Sequence, residues 1–378
     1  MRVMISCGEA SGDLYAGALA AALRARAPAV EIVGFGGRRL EAAGAALEGN
    51  FTGLTVTGLT EALRVLPRSY AMYRRLVGAA RARRPDVFVA IDFPDFNFRL
   101  MAALRRLGVP IVYYVSPQLW AWRPGRLKTM QRLVDRVLVI FPFEAPIYEG
   151  AGVPVEFVGH PLVDLARASQ LRAAFLRDRG LRPDAPTVAL LPGSRPNELR
   201  RIAPVLAAAV PRITAAAPAV QFVVARAPNL PDGLFASLPR AAVVEEATDE
   251  VLAAADVVIT ASGTATVQAA LHERPMVVVY RVSPLSYWIG KPFLKVDMYA
   301  MPNLIAGRRL VPELIQDACT PERVASETIA LLTDRERHAR TREALRGVRE
   351  RLGTPGASGR AADAILAVAA RAAGATSA

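Results

Sequence analysis

The chain has 378 residues, 52% of them hydrophobic, and carries 47 lysines and arginines against 34 acids for a net charge of +13. That length predicts two domains, and the apolar runs stop at about eight residues, far short of the roughly 20 that a membrane-spanning helix needs. Two cysteines and three scattered histidines (His160, His272, His338) argue against a disulfide framework and a typical zinc site, so no metal and no organic cofactor is expected. The positive excess points to an anionic partner: nucleic acid, an acidic membrane surface or a phosphorylated substrate.

In chain order, a strand-like run at Val3 to Ser6 leads into Gly8-Glu9-Ala10-Ser11-Gly12-Asp13. Two acids in that turn oppose phosphate but suit sugar hydroxyls, because an ionised carboxylate only accepts; the alternative is an ordinary tight strand-to-helix turn. Glu9 and Asp13 also interrupt what a signal peptide would need, so the chain is expected in the cytosol. A second strand is predicted at Glu31 to Phe35. Between Glu61 and Asp86 there is no acid, while Arg64, Arg68, Arg74, Arg75, Arg81, Arg83 and Arg84 accumulate. Leu63, Leu66, Tyr70, Tyr73 and Val77 fall on one helical stripe there, which either packs on the core or lies on anionic lipid.

The apolar strand Val87 to Ile91 ends at Asp92, where active sites of parallel sheets lie. Phe93, Pro94, Phe96 and Phe98 surround Asp92 with apolar material, which would raise its pKa toward that of a general base. Asp95 reads as a turn or helix cap. A strand at Ile111 to Val115 precedes Trp120-Ala121-Trp122, tryptophans placed to stack on a sugar or to plug a domain interface. Further strands are predicted at Val137 to Phe141 and Val155 to Val158.

After a Pro-rich connection at Leu181 to Pro186 the alternation restarts, with strands at Thr187 to Leu191, Gln221 to Ala225, Ala242 to Glu245, Val257 to Thr260 and Met276 to Tyr280. The fold class is therefore α/β: two Rossmann-like, doubly wound domains facing a cleft. The domains are expected at 1–165 and 166–354, with an Ala-rich helix from about 355 packing back on the first. Two loops of the second domain, Leu191-Pro192-Gly193-Ser194-Arg195 and Thr260-Ala261-Ser262-Gly263-Thr264, each follow a strand and open a helix. Free N–H groups and the helix dipole meet there and favour phosphate. Arg195 can add a two-pronged contact, and both loops are expected to serve one nucleotide. Neither matches the P-loop pattern. Aromatic and basic residues mix around Trp288, again as a lipid contact or a core helix.

Taken together, the Gly8–Asp13 turn, Ile91-Asp92-Phe93-Pro94-Asp95-Phe96-Asn97, Tyr114-Val115-Ser116-Pro117, Trp120-Ala121-Trp122, Phe141-Pro142-Phe143-Glu144, Gly159-His160, the two nucleotide loops and Pro302-Asn303-Leu304-Ile305-Ala306-Gly307 resemble lipid-A-disaccharide synthases. The motifs run in the family's order. The resemblance implies an inverting, metal-independent glycosyltransferase of the GT-B type. Its donor would be UDP-2,3-diacylglucosamine and its acceptor 2,3-diacylglucosamine 1-phosphate (lipid X), joined into a β-1,6-linked disaccharide 1-phosphate with release of UDP. It implies Asp92 as the base, Gly193, Ser194, Arg195, Ser262, Gly263 and Thr264 on the nucleotide, and Glu9, Ser11, Asp13 and Asn303 on the sugars.

Acylated substrates incline Arg64, Arg68, Tyr70, Tyr73, Arg74, Arg75 and Trp288 toward the cytoplasmic leaflet of the inner membrane, with the protein peripheral to it. A homodimer stays open. One position departs from the pattern: Gln268 stands where the family often offers a glutamate to the ribose. An amide can still accept from one hydroxyl and donate to another. No basic-aromatic module or helix-turn-helix supports nucleic acid, so none is expected. A closer alternative is another GT-B enzyme on UDP-sugars, such as a peptidoglycan glycosyltransferase or a UDP-N-acetylglucosamine epimerase.

Overall fold

The computed structural model describes residues 1–51, 59–119, 124–228, 230–238, 241–283, 287 and 297–376; the side chains of 59–65, 124, 241, 375 and 376 are outside the description. Trp120, Trp122 and Trp288 therefore lie outside the described residues, as does the side chain of Arg64. The chain divides into two compact units, 1–161 with 352–378, and 162–351. The sequence placed these boundaries at 165/166 and 354/355. The short helix at Leu162–Leu165 contacts the helix at Thr264–Leu271 and so belongs to the second unit.

The first unit is a seven-stranded sheet made of β1 (Arg2–Cys7), β2 (Glu31–Gly36), β3 (Ala46–Asn50), β4 (Val87–Ile91), β5 (Ile111–Tyr114), β6 (Arg136–Val139) and β7 (Val155–Phe157). The order is β3-β2-β1-β4-β5-β6-β7, every neighbouring pair parallel. The connecting helices are α1 (Ala10–Arg26), α2 (Arg38–Ala42), α3 (Leu59–Ala82), α4 (Pro94–Arg106), α5 (Leu127–Leu133) and α6 (Ala145–Gly150). Every residue of β4 is buried, which is what a strand covered on both faces by helices demands and why it reads as an unbroken apolar run. β3 is different: it carries Ala-Leu-Glu-Gly-Asn at the sheet edge with both ends exposed.

The second unit repeats the plan with six parallel strands, β8 (Thr187–Leu191), β9 (Gln221–Arg226), β10 (Ala241–Glu245), β11 (Val257–Ala261), β12 (Met276–Tyr280) and β13 (Glu313–Ile315). They run in the order β10-β9-β8-β11-β12-β13. Its helices are α7 (Leu162–Leu165), α8 (Arg172–Arg177), α9 (Pro196–Ala216), α10 (Thr248–Ala254), α11 (Thr264–Leu271), α12 (Met301–Ala306), α13 (Pro321–Thr333) and α14 (Arg335–Arg351). The core packs Leu199, Ile202 and Leu206 of α9 and Val324 of α13 against Val188, Val224 and Ile259 of the sheet.

The last helix, α15 (Ala357–Thr376), belongs to the first unit, where it packs on α1. Arg26 of α1 is paired with Asp363 of α15. Where the chain leaves the first unit and re-enters it, the His160 N–H donates to the Leu352 carbonyl at 2.8 Å. Arg360 ties both passes, donating to the carbonyls of Val158, Thr354 and Pro355. His160 is buried between the Tyr15 and Phe141 rings. Burial lowers its pKa to about 3 and keeps the imidazole neutral.

Candidate active site

In each unit the strand order reverses beside the first strand: between β1 and β4 in one, between β8 and β11 in the other. Open parallel sheets bind ligands outside the carboxyl ends of the strands at that switch point. The four loops leaving those four strands carry Glu9, Asp92, Arg195 and Ser262. The motifs singled out in the sequence thus converge, unit by unit, on the place where topology opens a crevice.

In the first unit, Cys7 pairs with Ile91 in the β1–β4 register, so the Gly8 turn and Asp92 leave the sheet side by side. Asp92 and Phe93 both hold left-handed backbone, φ 44° and 51°, and Val115 at the end of β5 does too, at 57°. Such conformations cost roughly 1–3 kcal/mol each for ordinary side chains and persist only where surrounding bonds impose them. Those bonds are visible. The Asp92 carbonyl accepts from Asn97 Nδ2 at 2.7 Å and from the Tyr113 hydroxyl at 2.8 Å, while its N–H donates to the Val115 carbonyl. Asn97 is wholly buried, and Ser6 Oγ donates to its Oδ1 at 2.7 Å, which fixes which way the amide faces. Burial, and then the charge of Asp92, push the Tyr113 phenol well above its ordinary range, so it stays a donor.

With its backbone held this way, Asp92 is half-buried at the end of β4. Phe93 packs over Gly8: a Cβ there would lie 2.2 Å from its ring. This glycine is required by an aromatic neighbour. Glu9, at the N-cap of α1, is half-buried and makes no side-chain cap bond; Ser11 follows, half-buried, in the first turn. Asp95 is an exposed partner of Arg126.

Asp13, expected on a sugar, is engaged inside the first unit instead. Its carboxylate is buried and accepts from the N–H groups of Gly37, Arg39 and Leu40, so it caps α2. The turn was read one step too long: α1 already begins at Ala10, which carries Asp13 inward.

In the second unit, α9 opens behind Arg195, and Glu198 reaches back over the loop. Its carboxylate accepts from the Ser194 N–H at 3.0 Å and from Arg195 at 3.3 Å. Gly193, at φ 126°, makes room, since a Cβ would lie 2.6 Å from Glu198 Oε2. Tyr280, ending β12, stands beside this pair: its phenol is pushed up by burial first and Glu198 second, with Arg195 opposing. The loop's anion-seeking donors are therefore turned toward a carboxylate of its own helix.

The start of α11 is arranged differently. Gly263 holds φ 140°, a value that glycine alone adopts readily, with nothing within 4 Å of where a Cβ would stand, and no side chain caps the helix. Ser262 Oγ donates to the Tyr299 carbonyl, so its hydrogen is spent inside the protein. Thr264 is half-buried at the first helical position. Gln268, one turn on, donates to Asp249.

Asn303 is also reassigned. It is wholly buried; its amide donates to the Val311 carbonyl and to Glu313, and its oxygen accepts from the Leu310 and Val311 N–H groups. Both hydrogens and both lone pairs are used. It is a latch between α12 and the approach to β13, with nothing left for a sugar.

In α3 the predicted stripe splits in two. Leu76, Val77 and Ala80 are buried and Tyr73 is half-buried, while Leu66 is 46% and Tyr70 62% exposed. Tyr70 stacks on Tyr73. Arg68 and Arg74 are exposed, and Arg75 is paired with Glu48. The sequence offered core packing or lipid for the whole stripe; among the described side chains of the stripe, Val77 is in the core and Tyr73 packs against it, while Leu66 and Tyr70 are exposed. No helix among the described residues is long and apolar enough to cross a membrane, and no group of three His, Cys, Asp or Glu among them could hold a metal ion.

Comparison with known proteins adds to this geometry. The family model for lipid-A-disaccharide synthetase matches residues 3–368. The chain is 45% identical over 370 residues to the lipid-A-disaccharide synthase of Myxococcus xanthus, covering 97% of each. It is 46% identical over 381 residues to that of Alkalilimnicola ehrlichii, covering 98% of this chain and 99% of the relative. Among solved structures, a calicheamicin glycosyltransferase superposes with a TM-score of 0.62 at 18% identity, covering 98% of both chains. The UDP-N-acetylglucosamine 2-epimerase of Neisseria meningitidis gives 0.70 at 11% identity, covering 97% of this chain and all of the other. At those identities the likeness is one of fold, the two-domain GT-B fold.

Proposed function

The chain belongs to the lipid-A-disaccharide synthase family, enzymes of lipid A biosynthesis, and from that membership we propose a specific reaction and a division of labour. The enzyme joins UDP-2,3-diacylglucosamine to 2,3-diacylglucosamine 1-phosphate with inversion, forming a β-1,6-linked disaccharide 1-phosphate and UDP. Inversion needs one in-line displacement. Asp92 takes the proton of the acceptor's 6-hydroxyl as that oxygen attacks C1 of the donor sugar, and the C1–phosphate bond breaks. Its fixed backbone sets where the carboxylate stands, and Glu9 and Ser11 accept from sugar hydroxyls beside it.

Charge grows on the departing diphosphate, and preorganised donors at its final position lower the barrier. The open N-terminus of α11, with Gly263 and Thr264, supplies them, and Arg195 adds its guanidinium from the loop it shares with Gly193 and Ser194. This set of donors makes the reaction metal-independent in our reading. The observation that carries the proposal is the coincidence of both motif pairs with the switch points of their own sheets. The test is direct: purified enzyme with both lipid substrates is expected to yield tetraacyl disaccharide 1-phosphate and an equal amount of UDP by mass spectrometry. No disaccharide above the enzyme-free blank would sink the proposal.

Because both substrates carry acyl chains, the first half of α3 is proposed to rest on the anionic leaflet. Tyr70 and Leu66 enter the headgroup region, and Arg68 and Arg74 meet lipid phosphates. Each such arginine is worth about 1 kcal/mol near an anionic surface. Arg68→Ala with Arg74→Ala is expected to lower partitioning onto phosphatidylglycerol vesicles by about thirtyfold. Unchanged co-sedimentation would remove α3 from the interface.

A further inference from the structure

Glu198 lies in the first turn of α9, and its side chain is only 12% exposed. A glutamate at this position commonly turns back to cap its own helix, accepting from the backbone N–H of the N-cap residue. Here it reaches further. Oε2 accepts from the Ser194 N–H at 3.0 Å, one residue ahead of the N-cap Arg195, and Oε1 accepts from the Arg195 guanidinium at 3.3 Å. Its two oxygens thus hold both kinds of donor, a loop N–H and an arginine fork, by which such a loop takes phosphate. The loop is shaped around that reach. Gly193 lies under the carboxylate, where a Cβ would stand 2.6 Å from Oε2, and its φ of 126° is one that only glycine adopts readily.

The Ser194 N–H has one hydrogen, so a carboxylate and a phosphate compete for it, and two anions side by side repel. We propose that Glu198 stands in for a phosphate group of the diphosphate: it holds the donors of the 193–195 loop between turnovers, yields them to the incoming nucleotide, and competes for them again as UDP leaves. This rests on the assignment of those donors to the UDP diphosphate. Once displaced, the carboxylate has Arg201 within reach, exposed and three residues along α9. Glu198 is therefore a positioning residue, acting through Ser194 and Arg195. It keeps the loop's donors ordered, which leaves less ordering to the binding step. Its competition also loosens the grip on UDP and favours release, the step that limits turnover in many enzymes.

Glu198→Gln tests this by calorimetric titration with UDP, because it keeps the shape and an acceptor for the Ser194 N–H while removing the charge. A hydrogen bond to a charged group corresponds to about 10–100-fold in an equilibrium constant. The amide keeps part of that, so the variant is expected to bind UDP about tenfold more tightly than the wild type, with inhibition by added UDP strengthened to match. A carboxylate that merely caps α9 gives the opposite result: a lowered unfolding midpoint with UDP affinity at or below the wild-type value, and that outcome would overturn the proposal. Should the glutamine variant fail to fold, Glu198→Ala is read the same way. Arg195→Ala separates this proposal from the assignment beneath it, since it is expected to weaken UDP binding by about 10–100-fold. Unchanged affinity in Arg195→Ala would overturn the diphosphate assignment and the stand-in with it. Weakened binding in Arg195→Ala without tighter binding in Glu198→Gln would overturn the stand-in alone.

Discussion

Asp92→Asn is expected to lower kcat by about 10²- to 10⁴-fold, the range typical of losing a general base, with the affinity for UDP unchanged. The substitution is selective for a physical reason. The bonds that hold this corner reach the backbone of residue 92: Asn97 and Tyr113 donate to its carbonyl, and its N–H donates to Val115. An amide side chain leaves all three in place. Asparagine also tolerates the left-handed conformation at φ 44° better than most residues. What disappears is the group that receives the proton. The nucleotide loops belong to the other unit, so calorimetry with UDP serves as the internal control. Turnover within threefold of wild type would remove Asp92 as the base, and a parallel loss of UDP binding would point to a damaged fold instead.

Asn303→Ala is expected to destabilise the second unit by about 3–5 kcal/mol, because it leaves the buried N–H and carbonyl of Val311 and the part-buried N–H of Leu310 without partners, a buried group costing roughly 1–3 kcal/mol. Glu313 loses one donor but keeps the Tyr299 and Ala300 N–H groups. Urea unfolding followed by far-ultraviolet circular dichroism is the measurement. This separates two roles for the same residue. A latch shows a large drop in midpoint; a sugar ligand shows a raised KM for the acceptor and a midpoint near wild type, and the second result would restore Asn303 to the sugar site.

The central strands were legible because burial on both faces leaves an unambiguous pattern. β4, β8 and β12 were predicted to the residue, and each is an unbroken run of buried or nearly buried side chains. β3 and β13 were missed: one is half-polar and exposed at its ends, the other three residues long, and both lie at sheet edges where no apolar run is demanded.

The site divides along similar lines. Asp92, Arg195 and Ser262 could be picked out because a strand end and a following helix are local features. Asn97, Glu198 and Asp249 were not, since each takes its meaning from a partner elsewhere: Ser6 for Asn97, the Ser194 N–H for Glu198, and Gln268 with His272 for Asp249. A clue for Asn97 was present, a polar residue between Phe96 and Phe98 in an apolar segment. Asp13 and Asn303 show the opposite case: they sit in motifs that look like ligand loops, yet their polar atoms are engaged by neighbouring backbone and, for Asn303, also by the Glu313 carboxylate.

The second unit enters from the first at residue 161 and returns at 352, where His160 and Arg360 stitch the two passes together. On the ribosome this inverts the order in which the halves mature. The first sheet is synthesised early, but α15, which covers α1, is made only after the whole second unit. At about 5–20 residues per second the intervening stretch takes on the order of ten seconds or more to emerge. During that interval α1 lacks its partner and the unit translated first is completed last, while the inserted unit, contiguous in sequence, can fold while translation continues. A nascent chain truncated before 357 would be the species most in need of a chaperone.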